Sequence, residues 1–582
     1  MGFEDIKLQK RKQKADAIAK VKAALPPARD KDVGIEATIV ASAATDIIDK
    51  IKSGKWTCVQ VTRAFTRQAL QEDARLNFMT ECLLSEALDR AAELDALFKK
   101  TGKVVGPLHG LPCSFKDQFN MVGFDSTTGI SMFANKAATE DAVTVQLVKA
   151  AGGIVLFKTN VPQTMMTPEC TNPLWGITGN PSNPLYTPGG SSGGEASSIM
   201  SNSSAIGFGT DIGGSLRFPM AFCGGYSLRP TEHRMPKLGV FDMFEEHEAP
   251  TIAAVCGPMA KTLGDLTFMY KFILEQEPWR LDQSVNQMPW RTLDAQKSYK
   301  FGYYSSDTYS IASPANVRAV EETVAALRAQ GHTCTEIVPP GMAEATRLFV
   351  ELTSVDGEKG MKKILGSDPR EANVALSLTV PGLPLIVRKV LAMVVKYWYK
   401  DAQYPALFEA LGAHNTEQVY KLTRERAHYK QRWLDEVWYS PDGDNATRSK
   451  AERQRTFDGL ICPVFPVPAF KHTLSKDILP VAVSCFLFNL LDYSAGVVPV
   501  TTVDAKIDDH TNTQHAAKYT GSWRGVFHEL MYKGFLGNEA VYNAKEMHGF
   551  NVPVQVVGQQ FEEEKTLAMM KVVDDAVKAA RK

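Results

Sequence analysis

From Pro188 to Pro219 the chain reads PGGSSGGEASSIMSNSSAIGFGTDIGGSLRFP. Serine hydroxyls attack carbonyl carbon only when a neighbouring base takes their proton. Two serines have the right surroundings. Ser191 lies inside Gly-Gly-Ser-Ser-Gly-Gly, and Ser215 closes Thr210-Asp211-Ile212-Gly213-Gly214-Ser215. The glycines before Ser215 offer unhindered N–H groups, the donors that a tetrahedral oxyanion needs. Glycine also lets backbone approach a ligand closely. A flexible linker of this composition would lack the apolar runs Ala205–Phe208 and Leu216–Phe218. The pattern predicts a rigid, Gly-lined active-site loop, with a Ser/Gly surface loop as the alternative.

A hydroxyl nucleophile requires a base. Gly189 to Gly193 match G-x-S-x-G by letter, but that elbow needs a strand directly before it. Pro181, Pro184 and Pro188 precede it here, and prolines exclude a central strand. Lys116 is another candidate. It ends the apolar stretch Cys113-Ser114-Phe115 in a Gly/Pro-rich setting, and burial would lower its pKa toward neutrality. On the residues alone, a surface charge at a strand end competes with that reading. The eleven histidines form neither HExxH nor zinc-spaced pairs with cysteine, so no metal is expected.

These residues need a scaffold, and 582 residues with 44% hydrophobic and 22% charged content suffice for a soluble globular core. Zero formal net charge argues against a nucleic-acid partner. Nine cysteines, scattered singly, fit a reducing compartment rather than a disulfide framework. The N-terminus is a charged helical pattern, not a secretory signal. No run of eighteen apolar residues predicts a spanning helix. A cytoplasmic protein is expected.

Residues 1–100 read as a helical layer, with amphipathic segments at 43–51, 57–70 and 85–98 and with Ser42 and Thr57 as N-caps. From Val104 the texture becomes strand–helix–strand: a strand into Lys116, a helix at 141–151, and a strand at 154–157. Further strands are predicted at 300–304, 459–462, 496–501 and 552–558, then a C-terminal helix at 562–580. This rhythm predicts an α/β protein with one large sheet. Residues 101–582 form a single catalytic domain in this reading, with a helical insert at about 339–455. Within the insert, residues 380–400 carry Lys389, Lys396 and Lys400 on one helical face and apolar residues over most of the rest. Either this is a core helix with a solvated stripe, or it lies at a membrane surface or apolar-ligand entrance.

The chain resembles the amidase signature family. The resemblance rests on GPLHGLPCSFKD (106–117), KTNVPQ (158–163), PGGSSGGE (188–195), GTDIGGSLRFP (209–219), DGLICPV (458–464), LDYSAGVVPVT (491–501) and PVQVVG (553–558). Within that family it is similar to the branch holding fungal acetamidases and fatty acid amide hydrolases. The resemblance implies the amidase signature fold, a large mixed β-sheet covered by helices on both faces. It also implies a Ser–cisSer–Lys triad: Ser215 as nucleophile, Ser191 as bridge after a cis peptide, and Lys116 as base. Oxyanion contacts are implied for the amides of Ile212, Gly213, Gly214 and Ser215, with Met165 bordering the substrate. Ser192, Thr210, Asp211 and Arg217 are implied as supporting residues. His109 and His233 are read as structural. The implied activity is hydrolysis of fatty acid amides, N-acylethanolamines or other amides with an apolar acyl chain, by a mechanism that needs no cofactor. A small-amide acetamidase, the glutamine-hydrolysing subunit of a tRNA-dependent amidotransferase and a non-catalytic binder of the same fold stay open. The partners expected are a small-molecule or lipid amide, with peripheral membrane contact through about 380–400 and a homodimer kept as options.

Overall fold

The computed structural model describes residues 1–582 apart from 27–29, 242–251, 294–297, 308, 399–400, 402–403, 512–525, 535–538 and 582. Its centre is an 11-stranded mixed sheet. In chain order the strands are β1 (Met79–Cys82), β2 (Pro112–Lys116), β3 (Ile154–Thr159), β4 (Ile206–Asp211), β5 (Tyr226–Arg229) and β6 (Val255–Ala260). They continue as β7 (Lys300–Tyr303), β8 (Thr333–Glu336), β9 (Gly459–Pro463), β10 (Ala495–Thr502) and β11 (Asn551–Val557). Their spatial order is β1-β3-β2-β4-β6-β5-β10-β11-β9-β7-β8. Strand β2 runs parallel to both β3 and β4, and every residue of those three strands is buried. Parallel strands belong in that setting, covered on both faces.

Helices surround the sheet. Leu84–Thr101 packs on β3, Gly193–Met200 on β4, Pro314–Ala329 on β9 and β11, and Glu563–Ala580 on β10. The first helix, Phe3–Ala24, is pinned to this body by charge. Lys10 Nζ reaches Glu81 at 2.6 Å and Asp125 at 2.7 Å, and Lys14 reaches Asp73 at 2.8 Å.

The predicted strands and the C-terminal helix form within a residue or two of expectation. Thr57 caps Cys58–Leu76 through a reciprocal pair with Gln60. Ser42 does not cap the helix Ala44–Lys52; its free N–H groups at Ala44 and Thr45 donate to the Asp265 carboxylate, both at 3.0 Å. A distant side chain thus does the work assigned to the local one. Residues 1–100 are not wholly helical, because β1 joins the sheet antiparallel to β3.

The Gly/Ser stretch is less loop-like than its composition suggests. It contains the buried helix Gly193–Met200 and all of β4. Intrinsic propensity opposes a helix beginning Gly-Gly, but packing needs those glycines. A Cβ on Gly194 would meet the Asn160 backbone nitrogen at 2.5 Å. Between β8 and β9 the described residues hold helices and turns without a strand. Lys400, one of the three lysines on the predicted helical face, lies outside the described residues.

Candidate active site

Lys116 ends β2 with its side chain fully buried. The strand exit is fixed by Asp117, whose carboxylate accepts from Thr80 Oγ1 at 2.9 Å and from Thr127 Oγ1 and the Thr128 N–H at 2.7 Å each. Lys116 Nζ lies 2.7 Å from Ser191 Oγ and 2.6 Å from Thr210 Oγ1. Thr210 Oγ1 donates its own proton to Gln118 Oε1 at 2.9 Å. That leaves Thr210 to accept from the lysine. Burial lowers the Lys116 pKa from 10.5 to about 7, against smaller opposing effects from Cys256, Asp211, Cys170 and Glu195. A neutral amine donating to Thr210 keeps its lone pair for the Ser191 hydroxyl.

Ser191 follows a cis peptide bond with Gly190. Gly190 is required by space: a Cβ there would lie 2.2 Å from the Glu169 carbonyl and 2.3 Å from that of Thr167. Ser192 joins the two halves of the stretch. Its N–H donates to the Ser215 carbonyl at 3.3 Å, and its hydroxyl donates to the Thr210 carbonyl at 3.3 Å. Ser191 and Ser215, 24 positions apart in sequence, are thereby held on adjoining turns.

The turn carrying Ser215 is set by Asp211 and Arg217. Arg217 reaches both Asp211 oxygens, Nε at 3.0 Å and Nη2 at 3.1 Å, and its Nη1 donates to the Cys485 carbonyl at 2.8 Å. Burial opposes ionisation of Asp211, yet the adjacent Arg217 guanidinium brings its pKa down to about 2. The same carboxylate accepts from the N–H groups of Gly214 at 2.8 Å and Leu216 at 3.2 Å. Gly214 is therefore committed to the turn. Among the described residues, the N–H groups of Ile212, Gly213 and Ser215 have no acceptor. Gly214 has φ +123°, and a Cβ there would strike the Phe218 ring at 2.5 Å.

A cavity of about 200 Å³ starts at Ser215, Ile212 and Gly213. It passes Phe349 and Phe486, whose rings stack 4.3 Å apart, and extends to Leu407 and Phe408 of the helical region. Met165 lines it with φ +56°, next to Thr164 at φ +69°. Left-handed backbone at two successive non-glycine residues is strained and is concentrated at functional sites.

The residues expected from sequence thus converge, except that Gly214 turns its N–H to Asp211 and not toward the cavity. Sequence reasoning missed Gln118, Phe349, Phe486 and Glu195. The Glu195 carboxylate is buried, accepts from Ser114 Oγ and Thr159 Oγ1 at 2.7 Å each, and is pushed by burial up to about 8. Gln118 and Glu195 lie two and four positions from Lys116 and Ser191, but nothing in their local sequence shows the contacts that they make across the sheet, and Phe349 and Phe486 come from distant helices. His109 is buried beneath Gly152, with Nδ1 accepting from the Val105 N–H at 3.2 Å. His233 is half exposed beside Glu232. Neither histidine lines the cavity. Among the described residues no three His, Cys, Asp or Glu side chains converge as a metal site requires.

One mixed sheet thus holds a buried amine beside one serine and, close by in sequence, a second serine on a turn with free amides. The sequence model of the amidase family matches residues 60–567, and the chain belongs to that family of amide hydrolases. It is 33% identical to the acetamidase of Emericella nidulans over 546 residues, covering 92% of this chain and 89% of that one. It is 30% identical to fatty acid amide hydrolase 1 of Caenorhabditis elegans over 541 residues, covering 91% and 87%. A solved fatty acid amide hydrolase structure superposes with a TM-score of 0.79 at 25% identity, covering 99% of this chain and 96% of that one.

Proposed function

We propose that the protein hydrolyses carboxylic amides bearing an apolar acyl chain, through an acyl-enzyme on Ser215. Neutral Lys116 takes the Ser191 proton as Ser191 takes that of Ser215, and Ser215 Oγ attacks the amide carbonyl. The oxyanion is received by the free amides of Ile212, Gly213 and Ser215, donors fixed in advance by the Asp211–Arg217 pair. The proton returns through Ser191 to the leaving amine. Water then cleaves the ester, activated through the same two groups in reverse.

The observation that carries this reading is the 2.7 Å contact between Lys116 and Ser191 in a fully buried setting. The apolar cavity beginning at Ser215 supports an apolar acyl group. A small-amide acetamidase is the second reading, favoured by the name of the Emericella nidulans relative. An activity series from acetamide to oleamide separates the two. Rates rising with chain length support the first; activity confined to the shortest amides overturns it.

The helix Leu385–Trp398 extends the proposal. Only Ala392 on it is buried, while Ile386 is 73% and Trp398 80% exposed. A core helix would bury such residues. Arg388 donates to the carbonyls of Phe408 and Glu409, at 3.2 Å each, and so ties this helix to the cavity wall. The exposed apolar face beside the cavity suits a lipid surface from which an apolar substrate enters. No helix among the described residues is long and apolar enough to cross a membrane.

A further inference from the structure

The cavity that begins at Ser215 is apolar along most of its wall, yet Glu358 lines it. This glutamate is in an unfavourable position twice over. Its backbone is left-handed, φ +61°, a conformation that glycine adopts without cost. Its side chain is partly withdrawn from water on the cavity wall. Although Glu358 begins the helix Lys359–Leu365, it does not cap it. Asp356 does, accepting from the Glu358 N–H at 2.8 Å and the Gly360 N–H at 2.6 Å. The Glu358 carboxylate itself has no hydrogen bond or ion pair among the described residues.

Burial raises the Glu358 pKa to about 7; Asp356 adds to the rise and Lys362 opposes it. Met361, one turn along the same helix, lines the cavity too and clusters with Met165 near the nucleophile turn. On the same wall Asn373 is 6% exposed, and its buried Oδ1 has no partner. Buried acceptors without donors are costly; Asn373 Oδ1 is one already, and an apolar substrate filling the cavity would cover the Glu358 carboxylate as a second.

We propose that Glu358 is a specificity residue that accepts a hydrogen bond from a hydroxyl or ammonium group on the substrate, so that the preferred amide is apolar along its length but carries one polar donor. This rests on the amidase reading. It adds that a purely hydrocarbon amide is not the best substrate. A site with an unpaired acceptor rejects the analogue lacking the donor, because the acceptor then stays buried and unsatisfied.

The test uses matched amides that differ only in a terminal hydroxyl replacing a methyl. One series places the hydroxyl on the acyl chain, the other on the amine. The ratio of kcat/KM within each pair is measured in one enzyme preparation, so the folded fraction cancels. Wild type should prefer the hydroxylated member of one series by about tenfold or more. Glu358→Gly, which relieves the backbone, should bring that ratio to near one, and Glu358→Gln should retain part of it. Lys476 also lines the cavity, and Lys476→Met should leave the ratio unchanged. No preference in wild type, a preference surviving in Glu358→Gly, or one removed by Lys476→Met overturns the proposal. Calorimetric binding of the same pairs to Ser215→Ala reads the ratio without turnover. If no amide is cleaved while the binding preference still depends on Glu358, the amidase reading fails and the Glu358 assignment stands.

Discussion

Replacing Lys116 should remove activity at neutral pH and at the same time make the fold more stable there. At pH 7 a lysine titrating at its ordinary value is neutral in about one molecule in 3,000. With its pKa lowered to about 7, Lys116 is neutral in about half of the molecules. Burial thus raises the supply of competent base on the order of a thousandfold. The neutral fraction falls to about one in ten one pH unit lower, and about one in a hundred two units lower. The logarithm of kcat/KM should therefore climb with unit slope up to about pH 7 and then level off.

The stability consequence has a definite sign. The folded pKa is below the unfolded one, so the unfolded chain binds the extra proton between about 7 and 10.5, and stability rises with pH across that window. Below it the penalty is complete, and at pH 7 it amounts to roughly 4 kcal/mol. Lys116→Met removes the penalty but also the contacts to Ser191 and Thr210, leaving a net gain of roughly 1–3 kcal/mol at pH 7. Urea unfolding at neutral pH and near pH 10 measures the gain and its disappearance. Initial rates on one soluble amide from pH 5 to 9 give the profile. A variant that keeps the limb near pH 7 at wild-type rates would refute the assignment of the base. Glu195, which titrates near 8 in the same interior, would then be the group to replace.

Ser215→Ala should give no acyl-enzyme and no fluorophosphonate adduct by intact mass spectrometry, while Ser191→Ala should still label but slowly, with kcat/KM down by about 10²–10⁴-fold. Asp211→Asn leaves the Arg217 guanidinium buried without its counter-charge, so the fold should lose about 3–5 kcal/mol in denaturant titration; an unchanged midpoint would mean that the pair does not set the turn. Replacing Ile386 and Trp398 together by serine should weaken co-sedimentation with phospholipid vesicles and leave hydrolysis of a short soluble amide near wild type. Equal sedimentation by both proteins would remove the lipid-surface reading.

The parts of the site legible in the sequence are those whose chemistry is local. Gly-Gly beside serine announces close backbone approach, and both Gly190 and Gly214 do sit where a Cβ cannot fit. Lys116 was visible only as the end of an apolar run; its lowered pKa comes from burial between β3 and β4, strands contributed by residues 38 and more positions downstream. The same reason hid Asp265 as the cap of Ala44–Lys52, 220 positions away. The composition of 193–200 argued against a helix because propensity counts what a residue prefers alone, whereas Gly193 and Gly194 are there for what must pass beside them. Gly214 misled in the opposite direction. Its place next to Ser215 suggested a donor for the oxyanion, but a turn must first be held, and Asp211 takes that N–H to hold it. A carboxylate two residues before a Gly-Gly-Ser is therefore informative: it marks which amides are structural and leaves the remaining ones free to meet the substrate.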